Sequence, residues 1–262
     1  NHFIFPVAAG RVAGGLAKKL GIPDAAVRDN LQGTVGEAGS AHSIVMLVQA
    51  LEEAKRGDII LVTSFGQGCD ALIFGVTDAV NDAKPAAGIS GSIKRRREEE
   101  NYNRFLGINN LVTMEQGLRA EVDKQTGMTT LFRNKDMILS LVGGKCSACG
   151  TLQYPKSNVC ANPNCGAVGT QDDQPFADMP AKLNSFTADS LTFSPDPPAY
   201  YGMVQFEDGG RGMLDLTDID PNSDLEVGQS LRMVFRIKEF DTKRGFRRYF
   251  WKATPDTEQE GA

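Results

Sequence analysis

The segment Cys146-Ser-Ala-Cys149, followed after ten residues by Cys160-Ala-Asn-Pro-Asn-Cys165, decides how this chain is interpreted. Two cysteine pairs on tight turns supply the four thiolate ligands of a tetrahedral zinc ion. Gly150 and Gly166 follow the two pairs and allow the backbone to fold back towards the sulfur atoms. Because four thiolates leave no coordination position open, the sequence predicts a structural zinc ion and not a catalytic one.

Other roles for the cysteines are less favoured. A redox-active Cys-x-x-Cys pair does not need a second pair at this spacing. Four of the five cysteines lie within twenty residues, and in a cytoplasmic protein such clustering favours a metal site over disulfide bonds. The fifth, Cys69, follows Gly68, and we interpret it as a packed side chain beside a buried strand. A reactive thiol is the alternative.

Composition places the chain among ordinary globular proteins. Its 262 residues suffice for two or three compact domains, and 41% of them are hydrophobic and 23% charged. The formal net charge of −5 argues against broad attraction to nucleic acid or anionic membranes. Apolar runs are far shorter than the roughly 20 residues of a membrane span. Since the N-terminus also lacks a signal peptide pattern, the predicted location is cytoplasmic.

Residues 1–78 alternate strand-like and helical segments, which predicts an α/β unit. A strand is predicted at Phe3-Ile4-Phe5, and its closeness to Asn1 suggests that these residues are the C-terminal part of a longer protein. Ser40 is a candidate N-cap for a helix that ends near Lys55. The predicted apolar face of this helix comprises Ala41, Ile44, Val45, Leu47, Val48 and Leu51.

Two further strands are predicted after this helix. Ile59 to Ser64 has the apolar composition of a strand that is buried on both sides of a sheet. Ala71 to Val76 follows a short glycine-containing turn, so the two strands are predicted to pair antiparallel. A half-sheet of this kind leaves an edge and apolar faces that need cover. We therefore predict that the chain is an obligate member of an assembly, and hence of an oligomer.

Residues 79–138 are predicted to form a helical connector. The basic run Lys94 to Arg97, the acidic run Glu98 to Glu100 and the apolar residues Tyr102, Phe105 and Leu106 suggest one surface helix. We interpret the basic run as a solvated helix face that is paired with the acidic run. The alternative is a phosphate contact for a nucleotide-bearing substrate such as coenzyme A.

Residues 139–178 contain the predicted zinc ribbon, and residues 179–262 have the pattern of a small barrel. In this last region, short strand-like runs alternate with turn residues. The runs are Leu183 to Thr187, Tyr201 to Phe206, Gly212 to Leu216, Leu231 to Phe240 and Phe246 to Trp251. Five short strands with this spacing predict a closed or half-closed β-barrel.

The C-terminal part also resembles a known two-part module. The matching stretches are Gly144 to Pro155, the second cysteine pair, Lys182 to Thr187, Pro197 to Val204 and Asp218 to Gly228. They are similar to the rubredoxin-like zinc ribbon and OB-fold found beside thiolases in acyl-CoA metabolism, over roughly residues 139–255. The second cysteine pair departs from the usual two-residue spacing, and an Asn-Pro insertion in the turn accounts for the difference.

Residues 1–78 resemble the C-terminal half of the thiolase superfamily, nearest to the hydroxymethylglutaryl-CoA synthase branch. The resemblance lies in Ala17 to Gly21, Gly36 to Ser40 and Gly57 to Gly68. It implies a half-domain that holds base and helper residues, while the nucleophilic cysteine belongs to the other half, outside this chain. The predicted fold class is therefore an α/β thiolase-like half-domain followed by a zinc ribbon and an all-β OB-fold barrel.

Several site residues of that family are replaced in this chain. The Phe-His-x-Pro run of the synthases reads Phe3-Ile4-Phe5-Pro6, so Ile4 stands at the histidine position. Nearby His2 is expected to be an exposed terminal residue. Glu37 stands where an active-site Asn usually opens the loop, and Ser64 stands where biosynthetic thiolases place a second cysteine. The usual base residues therefore cannot be transferred to this chain.

One candidate base remains. His42 lies in the first turn of the helix after the loop, and helix N-termini favour the neutral form of histidine, which suits a general base. Glu37 can orient His42 or serve as the base itself. Ser64, Gly66 and Gly68 form a candidate substrate-binding turn, in which the glycine amides would face a thioester carbonyl. The structural alternatives are a core or capping role for His42 and a simple turn role for the glycines.

Three classes of function are compatible with these features. The leading hypothesis is part of a thiolase-like enzyme that makes or cleaves a carbon–carbon bond next to a coenzyme A thioester. The acyl-carrying cysteine would come from a missing N-terminal half or a separate thiolase subunit, and the zinc ribbon and OB-fold would dock this partner and shape the coenzyme A channel. The alternative is a non-catalytic scaffold subunit that stabilises a partner thiolase. Nucleic-acid binding by the basic and aromatic hairpin Arg236 to Lys252 is the third class, which the acidic net charge disfavours.

Overall fold

A computed structural model describes residues 1–82, 88–96, 99–115, 127–220, 224–241 and 243–256. The chain divides into two compact units, Asn1–Glu98 and Glu99–Ala262. None of the helices in the described ranges has both the length and the apolar character of a membrane span. The domain boundaries expected from the sequence stay predictions.

The N-terminal unit consists of a three-stranded sheet and four α-helices among the described residues. Its strands are β1 (His2–Ile4), β2 (Ile59–Phe65) and β3 (Cys69–Gly75), in the order β1-β2-β3. β1 runs parallel to β2, whereas β2 and β3 pair antiparallel, as the short turn between them predicts. The helices are α1 (Gly10–Leu20), α2 (His42–Glu53), α3 (Ala79–Asp82) and α4 (Gly88–Lys94).

Helix α2 buries a face that only partly coincides with the predicted one, because Val45 and Leu47 of that face are half-buried against the core. Ser40 is not its N-cap, because it lies in a short 3-10 turn and Ala41 precedes the helix without a side-chain cap. The buried residues are His42, Ser43, Met46 and Ala50. Three residues of the predicted face instead have exposed fractions of 61%, 36% and 40%; these are Ile44, Val48 and Leu51. The buried face pairs the large side chains of His42 and Met46 with the small ones of Ser43 and Ala50, and Met46 and Ala50 pack with Ile4, Ile60 and Val62 in one apolar cluster.

The centre of the three-stranded sheet is buried, whereas its edge at β3 is uncovered. In β2, the central residues Ile60, Val62 and Thr63 are buried, but the end residues Ile59 and Phe65 are each 48% exposed. The expectation of burial on both faces, made for Ile59 to Ser64, was therefore wrong at Ile59, and Phe65 extends the strand beyond its predicted end. All seven residues of the edge strand β3 are exposed, because no described element packs beyond it.

The connector is a series of short helices and not one long surface helix. α4 ends at Lys94, and the described basic residues Arg95 and Arg96 follow its end; Arg97 and Glu98 lie outside the described residues. A new helix, α5 (Tyr102–Ile108), begins after Asn101, whose side chain accepts a hydrogen bond from the backbone N–H of Arg104 at 3.2 Å. This cap gives α5 its own start and separates it from the charged runs.

The second unit begins with helices and a small sheet. After α5 come α6 (Met128–Arg133) and α7 (Lys135–Leu139). The small sheet contains β4 (Val142–Cys146), β5 (Leu152–Gln153) and β6 (Gln171–Pro175), in the order β5-β4-β6 with antiparallel pairing. These three strands carry the zinc ribbon predicted from the cysteine spacing.

The five strands expected for the barrel are all present. They are β7 (Ala181–Asp189), β8 (Ala199–Phe206), β9 (Arg211–Asp215), β10 (Ser230–Asp241) and β11 (Phe246–Pro255), in the sheet order β11-β10-β7-β8-β9. A bridge between Leu216, just after β9, and Ala253 of β11 brings the two edges of the sheet together. This contact closes the sheet in the manner of an OB-fold barrel.

Phe176 packs where the ribbon meets the barrel. Its side chain is fully buried, with ring centroids 5.7 Å from Tyr154 after β5 and 4.9 Å from Phe206 of β8. A Cβ atom on Gly143 or Gly210 would lie within 3 Å of this ring, so both positions require glycine for the close packing. The ribbon and the barrel therefore share one hydrophobic core.

Candidate functional site

Two tight turns bring the four cysteines of the ribbon together. In the first turn, the N–H of Gly150 donates to the carbonyl of Cys146 at 2.7 Å, and Gly150 has a positive φ of 77°. In the second, the N–H groups of Cys165 and Gly166 both donate to the carbonyl of Asn162, at 3.0 and 3.1 Å. Hydrogen bonds between residues of the second loop therefore close it despite its extra length, as expected if the turn accommodates the Asn-Pro insertion.

The sulfur atoms have the spacing of a tetrahedral zinc site. Zinc–sulfur bonds of about 2.3 Å in a tetrahedron place the sulfurs about 3.8 Å from one another. Here the Sγ atoms of Cys149 and Cys160 are 3.6 Å apart, and those of Cys146 and Cys165 are 3.9 Å apart. All four sulfurs lie within 4.8 Å of one another. The geometry therefore fits a zinc ion held by four cysteine thiolates, with no open position for substrate.

Hydroxyl groups adjoin two of the thiols. The Thr170 hydroxyl lies 3.2 Å from the Sγ atom of Cys146, and this hydrogen bond is the main cause that lowers the pKa of Cys146 to about 6. The Thr151 hydroxyl lies 3.2 Å from the Sγ atom of Cys149, and the pKa of this thiol is also lowered, chiefly by that hydrogen bond. Burial and the neighbouring thiols instead raise the pKa of Cys160 and Cys165. The two hydroxyl contacts therefore favour the thiolate forms of Cys146 and Cys149, which are the forms that bind a metal.

The two residues proposed as a catalytic pair lie close together but in different environments. The His42 side chain is 1% exposed, and its Nε2 atom is 2.7 Å from the carbonyl oxygen of Asn30. Its Nδ1 atom accepts a hydrogen bond from the backbone N–H of Ala38 at 3.3 Å. Glu37 is exposed and lies 4.0 Å from Nδ1. A base role for His42 or Glu37 stays a prediction, and the backbone contacts favour the structural alternative for His42.

The candidate substrate-binding turn is a hairpin loop. Gly66 uses its N–H to donate to the carbonyl of Gly68 at 2.8 Å, so this amide already has a partner inside the turn. Ser64 pairs with Asp70 across β2 and β3, and Cys69 is exposed at the start of β3 and not packed beside the strand as interpreted. A contact between this turn and a thioester stays a prediction, and the expected packing of Cys69 was wrong because β3 is uncovered.

Sequence reasoning missed a polar network around His2, a residue that was expected to be exposed but is buried. His2 is 5% exposed; its Nδ1 atom accepts a hydrogen bond from the Nε–H of Arg28 at 2.7 Å, and its Nε2 atom is 3.2 Å from Asp58. Arg28 also donates to Glu53 at 2.6 Å. The network links β1, the loop before β2 and the end of α2. The polar residues Arg28, Glu53 and Asp58 are far apart along the chain, so no local pattern signals it.

We expect Asp58→Asn to weaken the N-terminal unit at neutral pH. The N–H of Lys55 and then His2 are the main interactions that lower the pKa of Asp58. A carboxylate with a lowered folded-state pKa contributes stability above its unfolded pKa of about 3.9, and this contribution is lost as the pH falls through the folded-state value. Hydrogen exchange of the β1 and β2 amides at pH 7 and pH 3 would measure the effect. The variant should exchange faster than the wild type at pH 7, and this difference should become smaller at pH 3, whereas the exposed Asp82→Asn should match the wild type at both values.

Comparison with known families defines the class of protein. Residues 1–74 match the family model "3-Oxoacyl-[acyl-carrier-protein (ACP)] synthase III C terminal". Residues 138–168 match "ChsH2, rubredoxin-like zinc ribbon domain", and residues 175–236 match "ChsH2, C-terminal OB-fold domain". The chain is therefore a thiolase-type C-terminal half followed by a zinc ribbon and an OB-fold, as expected from the sequence. The zinc ribbon match and the sulfur geometry together support a structural zinc ion.

Curated relatives fall into two groups. A DUF35 domain-containing scaffold protein of Pyrococcus furiosus is 32% identical over 135 residues, which cover 49% of this chain and 90% of that protein. A protein of the same description from Methanothermobacter thermautotrophicus is 28% identical over 121 residues, or 45% of this chain and 88% of that protein. The chain belongs to the DUF35 domain-containing family.

The second group is represented by an enzyme. Hydroxymethylglutaryl-CoA synthase of Aeropyrum pernix is 36% identical over 111 residues, which cover 41% of this chain and 31% of the synthase. The chain thus spans about a third of the length of that enzyme. Among solved structures, a chain described as "Ltp2-ChsH2(DUF35) aldolase" has 22% identity and a TM-score of 0.35, and the match covers 52% of this chain and 98% of that one.

Proposed function

We propose that this chain is a scaffold that holds a thiolase-superfamily enzyme of acyl-CoA metabolism. The observation that carries the proposal is the edge strand β3, all of whose residues are exposed. Leu72, Ile73 and Phe74 in this strand are 56%, 73% and 41% exposed, and such a row of apolar residues is unusual on a free sheet edge. A partner that covers it would remove this apolar surface from water.

The exposed stripe of α2 supports the same role. Ile44, Val48 and Leu51 repeat at helical spacing on the outer face of the helix. Complete burial of a large aliphatic side chain contributes about 2 kcal/mol, so a partner that covers the stripe and the edge strand would be stabilised by the apolar surface that it removes from water. The partner is the complementary half of a thiolase fold, either from the same protein or from a separate thiolase subunit.

The candidate catalytic residues fit a scaffold better than an enzyme. Ile4 occupies the position at which the synthase branch has its catalytic histidine, and both ring nitrogens of His42 contact the backbone. The curated relatives that this chain covers almost completely are themselves described as scaffold proteins. In this proposal the partner supplies the chemistry on the coenzyme A thioester. The scaffold is proposed to act in the cytoplasm, to form an oligomer with the partner and to shape its substrate channel.

Co-purification with a thiolase-superfamily enzyme of the same organism tests the proposal. Ile73→Lys would place a charge in the covered strand, and we expect it to weaken the complex by at least about 2 kcal/mol, or roughly thirtyfold. Leu20→Lys is the matched control, since Leu20 is 59% exposed at the end of α1 in the same unit. A complex that forms equally well with both variants, or a chain that stays monomeric with every such enzyme, would contradict the proposal.

A second candidate is that the chain contributes part of an active site. It is favoured by the 36% identity to hydroxymethylglutaryl-CoA synthase over 111 residues. In this case Glu37 and His42 would act on a substrate whose acyl group is carried by a cysteine of the other half. A Glu37→Ala, His42→Gln double variant separates the two candidates once hydrogen exchange shows that its N-terminal unit is still folded, because a folded scaffold would still support the activity of its partner.

A further inference from the structure

A groove in the second unit lies outside the β3 and α2 surfaces that are proposed to hold the partner. It has a volume of about 570 Å³ and lies between helices α6 and α7 on one side and the β10–β11 hairpin on the other. We call it the hairpin groove. Its volume falls within the range of about 300–1,000 Å³ that is typical of small-molecule sites.

Apolar side chains from both the helices and the hairpin line the hairpin groove. Leu131 and Ile138 contribute from the helices, and Phe246 and Phe250 from the hairpin. The rings of Phe235 and Tyr249 stack with centroids 5.5 Å apart and an angle of 17° between their planes. Phe235 and Tyr249 are 37% and 44% exposed, so their stacked rings offer an aromatic surface to a ligand in the groove. An acyl chain or a planar ring fits this lining.

The charged residues of the groove are all basic. Lys135, Lys238, Arg247 and Arg248 line it, and none of its described lining residues is acidic. Lys238 is paired with Asp215 at 3.0 Å, and Arg248 is paired with Glu239. Lys135 and Arg247 each lie 5.5 Å from an aromatic ring, and within the described part of the chain neither forms an ion pair with a carboxylate. Two cations at the groove thus keep their charge available in a chain whose net charge is −5.

We infer that the hairpin groove binds a small amphipathic anion. Its apolar body would lie against the rings of Phe235 and Tyr249, and its carboxylate or phosphate would lie near Lys135 and Arg247. An aromatic surface beside basic side chains also suits single-stranded nucleic acid. The acidic chain as a whole would repel a long polyanion, whereas a single anionic group needs only the local cations. This inference depends on the second unit alone and is independent of the scaffold role.

The chain contains one tryptophan, and it reports on the hairpin groove. The ring of Trp251 lies 5.2 Å from Phe235, and its Nε1–H donates to the carbonyl of Leu139 at 3.3 Å; Phe235 and Leu139 both line the groove. Titration of the zinc-loaded full chain with octyl phosphate and octanoate should therefore change the tryptophan fluorescence. Octanol and octyltrimethylammonium, which have the same chain length without a negative charge, should bind at least about tenfold more weakly.

Charge removal tests the proposed position of the anion. Arg247→Gln and Lys135→Gln should each weaken the binding of the anionic probes about tenfold, while octanol should be unaffected. Lys182→Gln, at an exposed cation of β7 that does not line the groove, is the matched control. Tighter binding of octyl phosphate would identify a phosphate ligand, and tighter binding of octanoate a carboxylate.

Three results would overturn the inference. The first is binding that is equal for anionic, neutral and cationic probes. The second is binding of the anions that Arg247→Gln and Lys135→Gln leave unchanged. The third is tight, salt-sensitive binding of single-stranded oligothymidylate through the same two residues, with no binding of the octyl probes, which would assign the surface to nucleic acid.

Discussion

Cys160→Ala is expected to abolish zinc binding and to unfold the ribbon. Cys160 is 4% exposed and its sulfur lies 3.6 Å from that of Cys149, so the loss of this ligand opens the tetrahedron. Among the described residues 142–175, Leu152 is the only buried apolar side chain besides the cysteines Cys146 and Cys160. Leu141 and Phe176 at the two ends of the ribbon belong to the core shared with the barrel, but the two cysteine turns between them have little apolar core of their own and depend on the metal for their folding. Structural zinc contributes about 10 kcal/mol or more.

Two measurements check this expectation. Metal analysis should find one zinc ion per wild-type chain and none in the variant, and hydrogen exchange of the β4 and β6 amides should change from slow to fast. Cys69→Ala is the matched control, because Cys69 is an exposed cysteine outside the cluster, and it should retain the zinc. A Cys160→Ala chain that keeps a stoichiometric zinc ion and a protected ribbon would contradict a site built from four cysteines.

Phe176→Ala should cause a large loss of stability in the second unit. The ring is fully buried and contacts Tyr154 on the ribbon side and Phe206 on the barrel side. Truncating a buried phenylalanine costs about 3–5 kcal/mol, because the transfer free energy of the ring is lost and a cavity remains. For a unit of this size the expected decrease in the melting temperature is roughly 10 °C.

Urea and thermal unfolding of the zinc-loaded chain would measure this loss. Phe132→Ala is the matched control: Phe132 is 74% exposed, so its truncation should change the free energy of unfolding by less than about 0.5 kcal/mol. Because Phe176 joins the two parts of one core, its loss should also let the ribbon and the barrel unfold in separate steps. Equal unfolding midpoints for the two variants would show that the shared core contributes little.

The cysteine spacing and the strand pattern were sufficient to predict most of the second unit. Four ligands within twenty residues determine a local site, because both turns close through hydrogen bonds between neighbours such as Cys146 and Gly150. The five barrel strands were also predictable, since each is a short run that ends in turn residues. The hairpin groove was not predictable as a cavity, because α7 and β11 are more than a hundred residues apart in the sequence.

In the N-terminal unit the sequence determined the elements but not their environments. Periodicity predicts that α2 is a helix with an apolar face, and the short turn between β2 and β3 predicts that these strands pair antiparallel. Only the tertiary structure decided that Ser43, Met46 and Ala50 face the sheet while Ile44 and Val48 face outwards. It also decided the burial of His2. The physical reason is that periodicity reflects contacts within one element, whereas burial depends on which distant element approaches each face.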